Sequence, residues 1–317
     1  MGQGETDNPV FLVGAERSGT TLLRLMLGHH PSLAWVNEFE YAVDMVTADG
    51  RFPDLAQYTA WLGRHRIFRA SGCTIDPSLD YPALMRDFLE QRRKRAGKAQ
   101  VHATCHRHFD RLLHIWPAAR FIHLVRDGRD VAHSVIRMGW AGNVYTAAWR
   151  WIEAERLWTR LRGRLPEERY IELHYETLLA QPERELRRLC AFIGVAYDPA
   201  MLRYDRDSTY EKPDPALAQQ WRRKLSSYEV RLAEARIGDM LMERGYGLSG
   251  LPPLTVGSMR RVALRVQDRF YRARFRLRRY GPMLWLADAC LRRLGRPRAW
   301  LDPIQQRIQA VDTLYLK

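Results

Sequence analysis

The sequence predicts an α/β protein in which a parallel sheet is covered by helices on both faces and followed by a basic, mainly helical extension. Three observations predict it. Short apolar runs at Val10–Val13 and at 121–125 (FIHLV) read as strands buried on both faces. Each is followed, across a turn, by a segment of helical periodicity, and this strand-then-helix alternation builds parallel sheets. Charge, finally, is uneven: 51 Lys and Arg face 36 Asp and Glu, a net +15, yet residues 251–317 hold 15 basic residues against 4 acidic ones. The body of the chain is therefore no basic slab, and an anion it handles must be gripped locally.

With 317 residues, 46% of them hydrophobic and 27% charged, the chain can bury a sizeable core, which excludes disorder as its description. We expect one main domain, residues 1–250, and the extension, 251–317, divided at the LSGLPPL stretch of 248–254. There is no internal repeat.

The elements follow in order. Val10–Val13, between Pro9 and Gly14, is the first strand, and Leu22–Leu27 lies in the helix after it. Pro31 stops that helix, and the apolar run Leu33–Val36 leads to two carboxylates, Glu38 and Glu40. The next clear strand is 119–125, succeeded by RDGRDVAHSVIRM, with Val131, Val135 and Met138 on one helical face. Trp151, Ala154, Trp158 and Leu161 form a buried stripe on a helix over 145–163. Tyr170–Leu173 reads as a strand. Pro182 opens a helix whose Leu186, Leu189, Cys190 and Ile193 face inward before Gly194 ends it. Residues 205–215 are polar and proline-bearing, as in a loop that orders over a ligand. In the extension, Phe270, Tyr271, Phe275 and Leu277 alternate with arginines, an amphipathic pattern that suits either docking on the chain's own domain or contact with anionic lipid.

The opening MGQGETDNPVFLVG lacks the basic and apolar regions of an export signal, and the apolar stretch 283–291, interrupted by Asp288, is far short of the roughly 20 residues a membrane span needs. Cys73, Cys105, Cys190 and Cys290 are scattered without a CxxC pair, so reduced thiols and a cytoplasmic location are expected, with no metal site; HATCHRH at 102–108 fits no standard zinc spacing.

The chemistry concentrates in FLVGAERSGTTLLRLML. A glycine-rich turn between a buried strand and a helix start exposes backbone N–H groups and the positive end of the helix dipole, a cradle for phosphate or sulfate. Gly14 and Gly19 have P-loop spacing, which makes the expected fold a P-loop-type three-layer one, but Thr20 and Thr21 stand where a nucleoside triphosphatase carries Lys then Ser or Thr. Arg17 puts a cation inside the loop instead.

In these residues the chain resembles the sulfotransferases that use 3′-phosphoadenosine 5′-phosphosulfate (PAPS). GAERSGTTLL is similar to their 5′-phosphosulfate loop, and the branch whose loop reads RSGTT, found in protein-tyrosine sulfotransferases and many bacterial enzymes, is the more similar one. ARFIHLVRDGRDVAHSV supplies the second motif: an Arg at a strand end and a Ser eight residues on, here Arg126 and Ser134, which in the family bind the 3′-phosphate. RYIELHYETLLAQPERELRRLCAFIGV resembles a third family segment, so the likeness spans roughly residues 9–225.

The resemblance implies a set of roles. Arg17, Ser18, Gly19, Thr20 and Thr21 hold the 5′-phosphosulfate, Arg126 and Ser134 the 3′-phosphate, and Glu38, 21 residues after the loop Arg, accepts the acceptor's proton, with Glu40 or a His of the 102–108 cluster (His102, His106, His108) as the other candidates. Tyr175 is expected beside the adenosine and Lys212, stiffened by Pro213 and packed down by Trp221, over the 3′-phosphate side. Many relatives carry a Lys before the second motif; VHATCHRHFD has none, leaving its task to Arg17 or His102. Arg129 and Asp130 read as a solvated helix-start cluster. The implied activity is transfer of a sulfuryl group from PAPS to a carbohydrate, lipid, tyrosine or small-metabolite hydroxyl, with PAP (3′-phosphoadenosine 5′-phosphate) as product and no metal. The alternatives are a P-loop nucleotide-dependent kinase, against which the missing Lys argues, and a non-catalytic protein binding anionic lipid or nucleic acid through the extension. No segment matches a nucleic-acid-binding module. Partners expected are the hydroxyl acceptor and, through the extension, peripheral contact with the inner face of an anionic membrane.

Overall fold

The computed structural model of the chain describes residues 8–206, 208–293 and 298–315. The first seven residues, part of the basis for reading no export signal, lie outside the described residues, as do 294–297 and 316–317 of the expected extension. Its elements run β1 (Val10–Val13), α1 (Thr20–Gly28), β2 (Leu33–Val36), α2 (Leu55–Leu62), α3 (Arg66–Ser71), α4 (Tyr81–Ala96), β3 (Gln100–Cys105), β4 (Arg120–Val125), α5 (Gly128–Arg137), α6 (Val144–Arg162), β5 (Tyr170–His174), α7 (Tyr175–Ala180), α8 (Pro182–Ile193), α9 (Trp221–Lys224), α10 (Ser227–Glu243), α11 (Ser258–Arg293, broken at Gly281) and α12 (Arg298–Tyr315).

The five strands are all parallel, in the order β2-β3-β1-β4-β5. Their apolar runs are explained by burial on both faces, which removes any need for polar alternation. Phe11 and Val13 point to one side, where Phe39, Trp116 and Trp158 join residues of α2–α4. Val10 and Leu12 point to the other, against α1, α7, α8 and the turn Pro199–Arg206. A third cluster packs α5, α6 and α10 together around Trp151. Because every strand runs the same way, the turns after β1, β2, β3 and β4 all open at one end of the sheet, where ligands of such folds collect.

The expected strands and helices are found within a residue or two of their predicted ends. The segment 55–105, which the periodicity left unassigned, forms three helices and a strand. Its short helices are held by aromatic packing, with Tyr41 edge-to-face against Phe68 and Phe88 and Tyr58 edge-to-face against Tyr81, rather than by a long amphipathic stripe. Cys73, Cys105, Cys190 and Cys290 are free thiols, and Cys190 is buried on α8 as expected. Among the described residues no helix is long and apolar enough to cross a membrane.

Candidate active site

The turn from β1 to α1 is built by three residues in the left-handed half of backbone space. Gly14 (φ 151°) passes so close to Leu124 that a Cβ would lie 2.4 Å from its carbonyl oxygen. Gly19 (φ 95°) receives the Tyr175 ring where its own Cβ would be, at 2.3 Å. Arg17 adopts φ 73° without being glycine, a conformation that costs about 1–3 kcal/mol and is held because Ser18, fully buried behind it, donates its N–H to Ala15 at 3.1 Å. Gly19 caps α1 with no side chain, and no acidic residue occupies the helix's first turn. The helix start therefore presents unopposed positive charge.

Distant segments converge on this turn. Arg17 Nε donates to Ser134 Oγ of α5 at 3.0 Å, across 117 positions of sequence. Arg126, at the end of β4, lays its guanidinium over the Tyr175 ring, 4.4 Å from the centroid, and donates to the Arg17 carbonyl at 3.3 Å and the Leu217 carbonyl at 3.2 Å. These groups wall a cavity of about 680 Å³, shared by Arg17, Gly19, Thr20, Thr21, Arg126, Ser134, Tyr175 and Lys212. Ser18 lies beneath it. Arg126 Nε at its wall is buried without a partner among the described residues, as a group awaiting an anion's oxygen would be, and so is Ser18 Oγ beneath it. The residues present thus fit a ligand with anionic groups at two points.

Other expectations divide. Trp221 is buried under the Arg129 guanidinium, which lies 3.7 Å from its ring centroid, nine residues after Lys212. Lys212 itself is exposed at the cavity rim. Glu38 stands two residues beyond β2 at the same end of the sheet, half-buried and close enough to Arg24 and Glu40 to bias both electrostatically; it does not line the 680 Å³ cavity. Glu40 is enclosed. Burial pushes its carboxyl above the usual range despite His106, whose backbone N–H donates to Oε1 at 2.8 Å, and Oε2 has no partner among the described residues.

The His cluster splits by depth. His106 reaches the loop, donating from Nδ1 to the Gly14 carbonyl at 3.1 Å. It shares a second cavity, about 440 Å³, with His108, Glu16 and Trp149. His102 is different: buried in mid-sheet, it accepts the Val10 N–H at 3.1 Å and packs on Trp35. Lying three residues short of the β3 terminus, it is about 10 Å from the loop end. Burial holds its pKa down to about 3. His102 is thus placed for neither the base role nor the missing Lys's task. Arg129 and Asp130 also depart from expectation, since both are only 2% exposed. Arg129 pairs with Asp127 at 2.7 Å and Glu234 at 2.6 Å. Asp130 accepts the backbone N–H groups of Trp221 at 2.7 Å and Gln220 at 3.2 Å, anchoring the segment over the cavity.

Residues 9–199 match the sequence profile of the Sulfotransferase family. The chain belongs to that family. Protein-tyrosine sulfotransferase 1 of Danio rerio is 27% identical over 209 residues, 62% of this chain and 56% of the relative. Protein-tyrosine sulfotransferase 2 of Gallus gallus is 25% identical over 209 residues, 62% and 53% of the respective chains. The chain thus spans about half the length of the curated relatives it matches. Among solved structures, the sulfotransferase domain from the Synechococcus PCC 7002 olefin synthase superposes with a TM-score of 0.50 at 23% identity, over 77% of this chain and 97% of that one, a likeness of fold.

Sequence reasoning missed several cavity-lining side chains. His133 and Arg137 lie on α5 with Ser134, and the i,i+3 spacing sets Arg137 beside it. Thr209 and Tyr210 lie in the loop already suspected of covering a ligand. Arg279, from α11, also reaches the cavity, and no local pattern marks it.

Proposed function

We propose that the protein transfers a sulfuryl group from PAPS to an acceptor hydroxyl. The observation that carries this reading is the meeting of Arg17 and Ser134 in one cavity with Arg126, because a donor with a 5′-phosphosulfate and a 3′-phosphate on one ribose needs two cationic groups set close together. Family membership supports it.

In this reading the backbone of Ser18–Thr21, the Thr20 and Thr21 hydroxyls and Arg17 hold the 5′ end, while Arg126 and Ser134 hold the 3′-phosphate. Tyr175 walls the adenosine and Lys212 closes over the anionic side. Glu38 takes the acceptor's proton as the acceptor oxygen bonds to sulfur. The bond from sulfur to the 5′-phosphate oxygen breaks, and the departing charge is met by Arg17 and the start of α1. Arg17 then also serves where other family members use Lys. Residues 1–250 act as the donor-binding domain and 251–317 as an extension packed on the α5–α6 corner through Leu264 and Asp268. The location that fits this chemistry is the cytoplasm, the extension offering peripheral contact with a membrane.

Thermal shift tests the donor assignment. PAP should raise the unfolding temperature well beyond 5′-AMP at equal concentration, without added Mg²⁺; equal responses would remove the 3′-phosphate grip. Glu38→Gln should lower turnover with labelled PAPS by ~10² or more while the PAP shift survives. Full activity in that variant would move the base role to Glu40, whose Gln variant is the paired control.

A further inference from the structure

α11 has two faces of opposite fate. Its inner face docks: Leu264 and Asp268 are 5% and 8% exposed, Asp268 Oδ1 accepts the Gly142 N–H at 2.7 Å, and Phe275 fills the space beside Gly139. The opposite face holds a line of bare apolar side chains, Met259 (87% exposed), Val262 (57%), Val266 (60%), Phe270 (68%) and Leu277 (39%). At 100° per residue these five fall within about 80° of arc, diametrically across from Asp268. Apolar side chains in so continuous a row on an exposed helix mark a contact surface.

Charge identifies what the row contacts. Arg260, Arg274 and Arg278 run along one flank, and Arg265, Arg269 and Arg276 along the other; all six are exposed. The one acidic residue from Ser258 to Tyr280 is Asp268, which is turned inward and paired with Arg272 at 2.9 Å. A second copy of the chain laid on this face would set arginines against arginines. Neutral or basic protein surfaces offer the flanks no counter-charge. A surface with a continuous negative layer over an apolar interior satisfies both the flanks and the row at once.

We propose that α11 lies in the headgroup layer of a bilayer containing anionic phospholipid. Met259, Val262, Val266 and Phe270 enter the acyl boundary, and the arginine stems extend sideways so that their guanidinium groups meet phosphates. The inner face keeps its contacts with the domain, so docking requires no unfolding of the extension. The inference is independent of the sulfuryl-transfer reading, and either can fail alone.

Vesicle co-sedimentation of the full chain tests it. Binding to phosphatidylcholine vesicles containing 30% phosphatidylglycerol should exceed binding to pure phosphatidylcholine by at least about tenfold, and should fall as salt is raised. Val266→Asp with Phe270→Asp should lower the anionic-vesicle binding about tenfold or more, leaving the unfolding temperature and the PAP response unchanged, since both side chains face solvent. Equal binding to the two vesicle types overturns the proposal. So does undiminished binding by the double variant with its PAP response intact, because attraction would then be diffuse charge alone. A dimer in gel filtration that the double variant dissociates would assign the face to a second copy and likewise overturn it. Where the double variant has a lowered unfolding temperature, Val262→Gln with Val266→Gln replaces it, with the same outcomes.

Discussion

Arg17 shows strain and chemistry sharing one residue. Its φ of 73° suits glycine, yet its side chain is the loop's cation and the partner of Ser134. Arg17→Gly should therefore relieve the backbone while removing the grip. Stability should stay within about 1 kcal/mol of the parent in urea unfolding, whereas sulfuryl transfer and the PAP shift should nearly vanish. A large loss of stability would mean that Arg17 acts chiefly as a strut. The identity of these residues was legible in the chain, because a loop cation beside Ser-Gly-Thr-Thr has few physical uses. Depth was not. His102 and His106 are four residues apart, and nothing in HATCHRH says that one sits in mid-sheet and the other at the loop, since only the register of β3 against β1 decides it. The same holds for Asp130: a carboxylate at a helix start reads as solvated until a partner segment from elsewhere in the chain covers it.

At the scale of elements, the segment over the cavity is tethered rather than free. Asp130 receives both N–H groups at the start of α9, and Arg129 stacks on Trp221, so α5 holds the lid from below. Burial raises the Asp130 carboxyl above its usual range, although Arg126 and the two N–H donors oppose it. Asp130→Ala should release the segment. The expected result is a several-fold higher KM for PAPS and faster protease cleavage between residues 205 and 220, with kcat changed less. An unchanged cleavage rate would show that Trp221 alone suffices as the tether. The three strand-to-helix units were visible as apolar runs followed by helical periods, but α2 and α3 were not. Eight- and six-residue helices carry too little periodicity to stand out, and they exist because aromatic side chains distant in sequence cover them.

For the whole molecule, two buried histidines of opposite sense shape stability against pH. Burial depresses His102 to about 3 from an unfolded value of 6.5, so its contribution is complete above pH 6.5 and is lost as pH falls toward 3. His123 is buried too, which alone would lower it. Glu155 at 3.3 Å and Glu172 at 3.5 Å outweigh that and raise it, so its contribution is complete below 6.5 and lost as pH rises through the raised value. Glu172 adds to the acid side: despite burial, the hydrogen bonds from His123 and Trp158 hold it at about 2, and its contribution disappears below 4.5. The unfolding temperature should therefore peak near pH 6.5. A scan from pH 4 to 9 checks this, and a temperature still rising above 6.5 would mean that His123 is neutral in the fold. His123→Asn should flatten the alkaline limb.

The chain by itself determined the fold class and the glycine-built turn after the first strand, because these follow from local patterns, apolar runs and glycine at a forced turn; the expectation that Arg126 and Ser134 act together came from the family resemblance. Tertiary structure alone decided which carboxylates are enclosed, which histidine faces the loop, and that Arg279 of the extension reaches the main cavity. It also decided which side of α11 is covered. Helical spacing sorts side chains into faces, but the face turned toward solvent is chosen by what the rest of the molecule packs against the other.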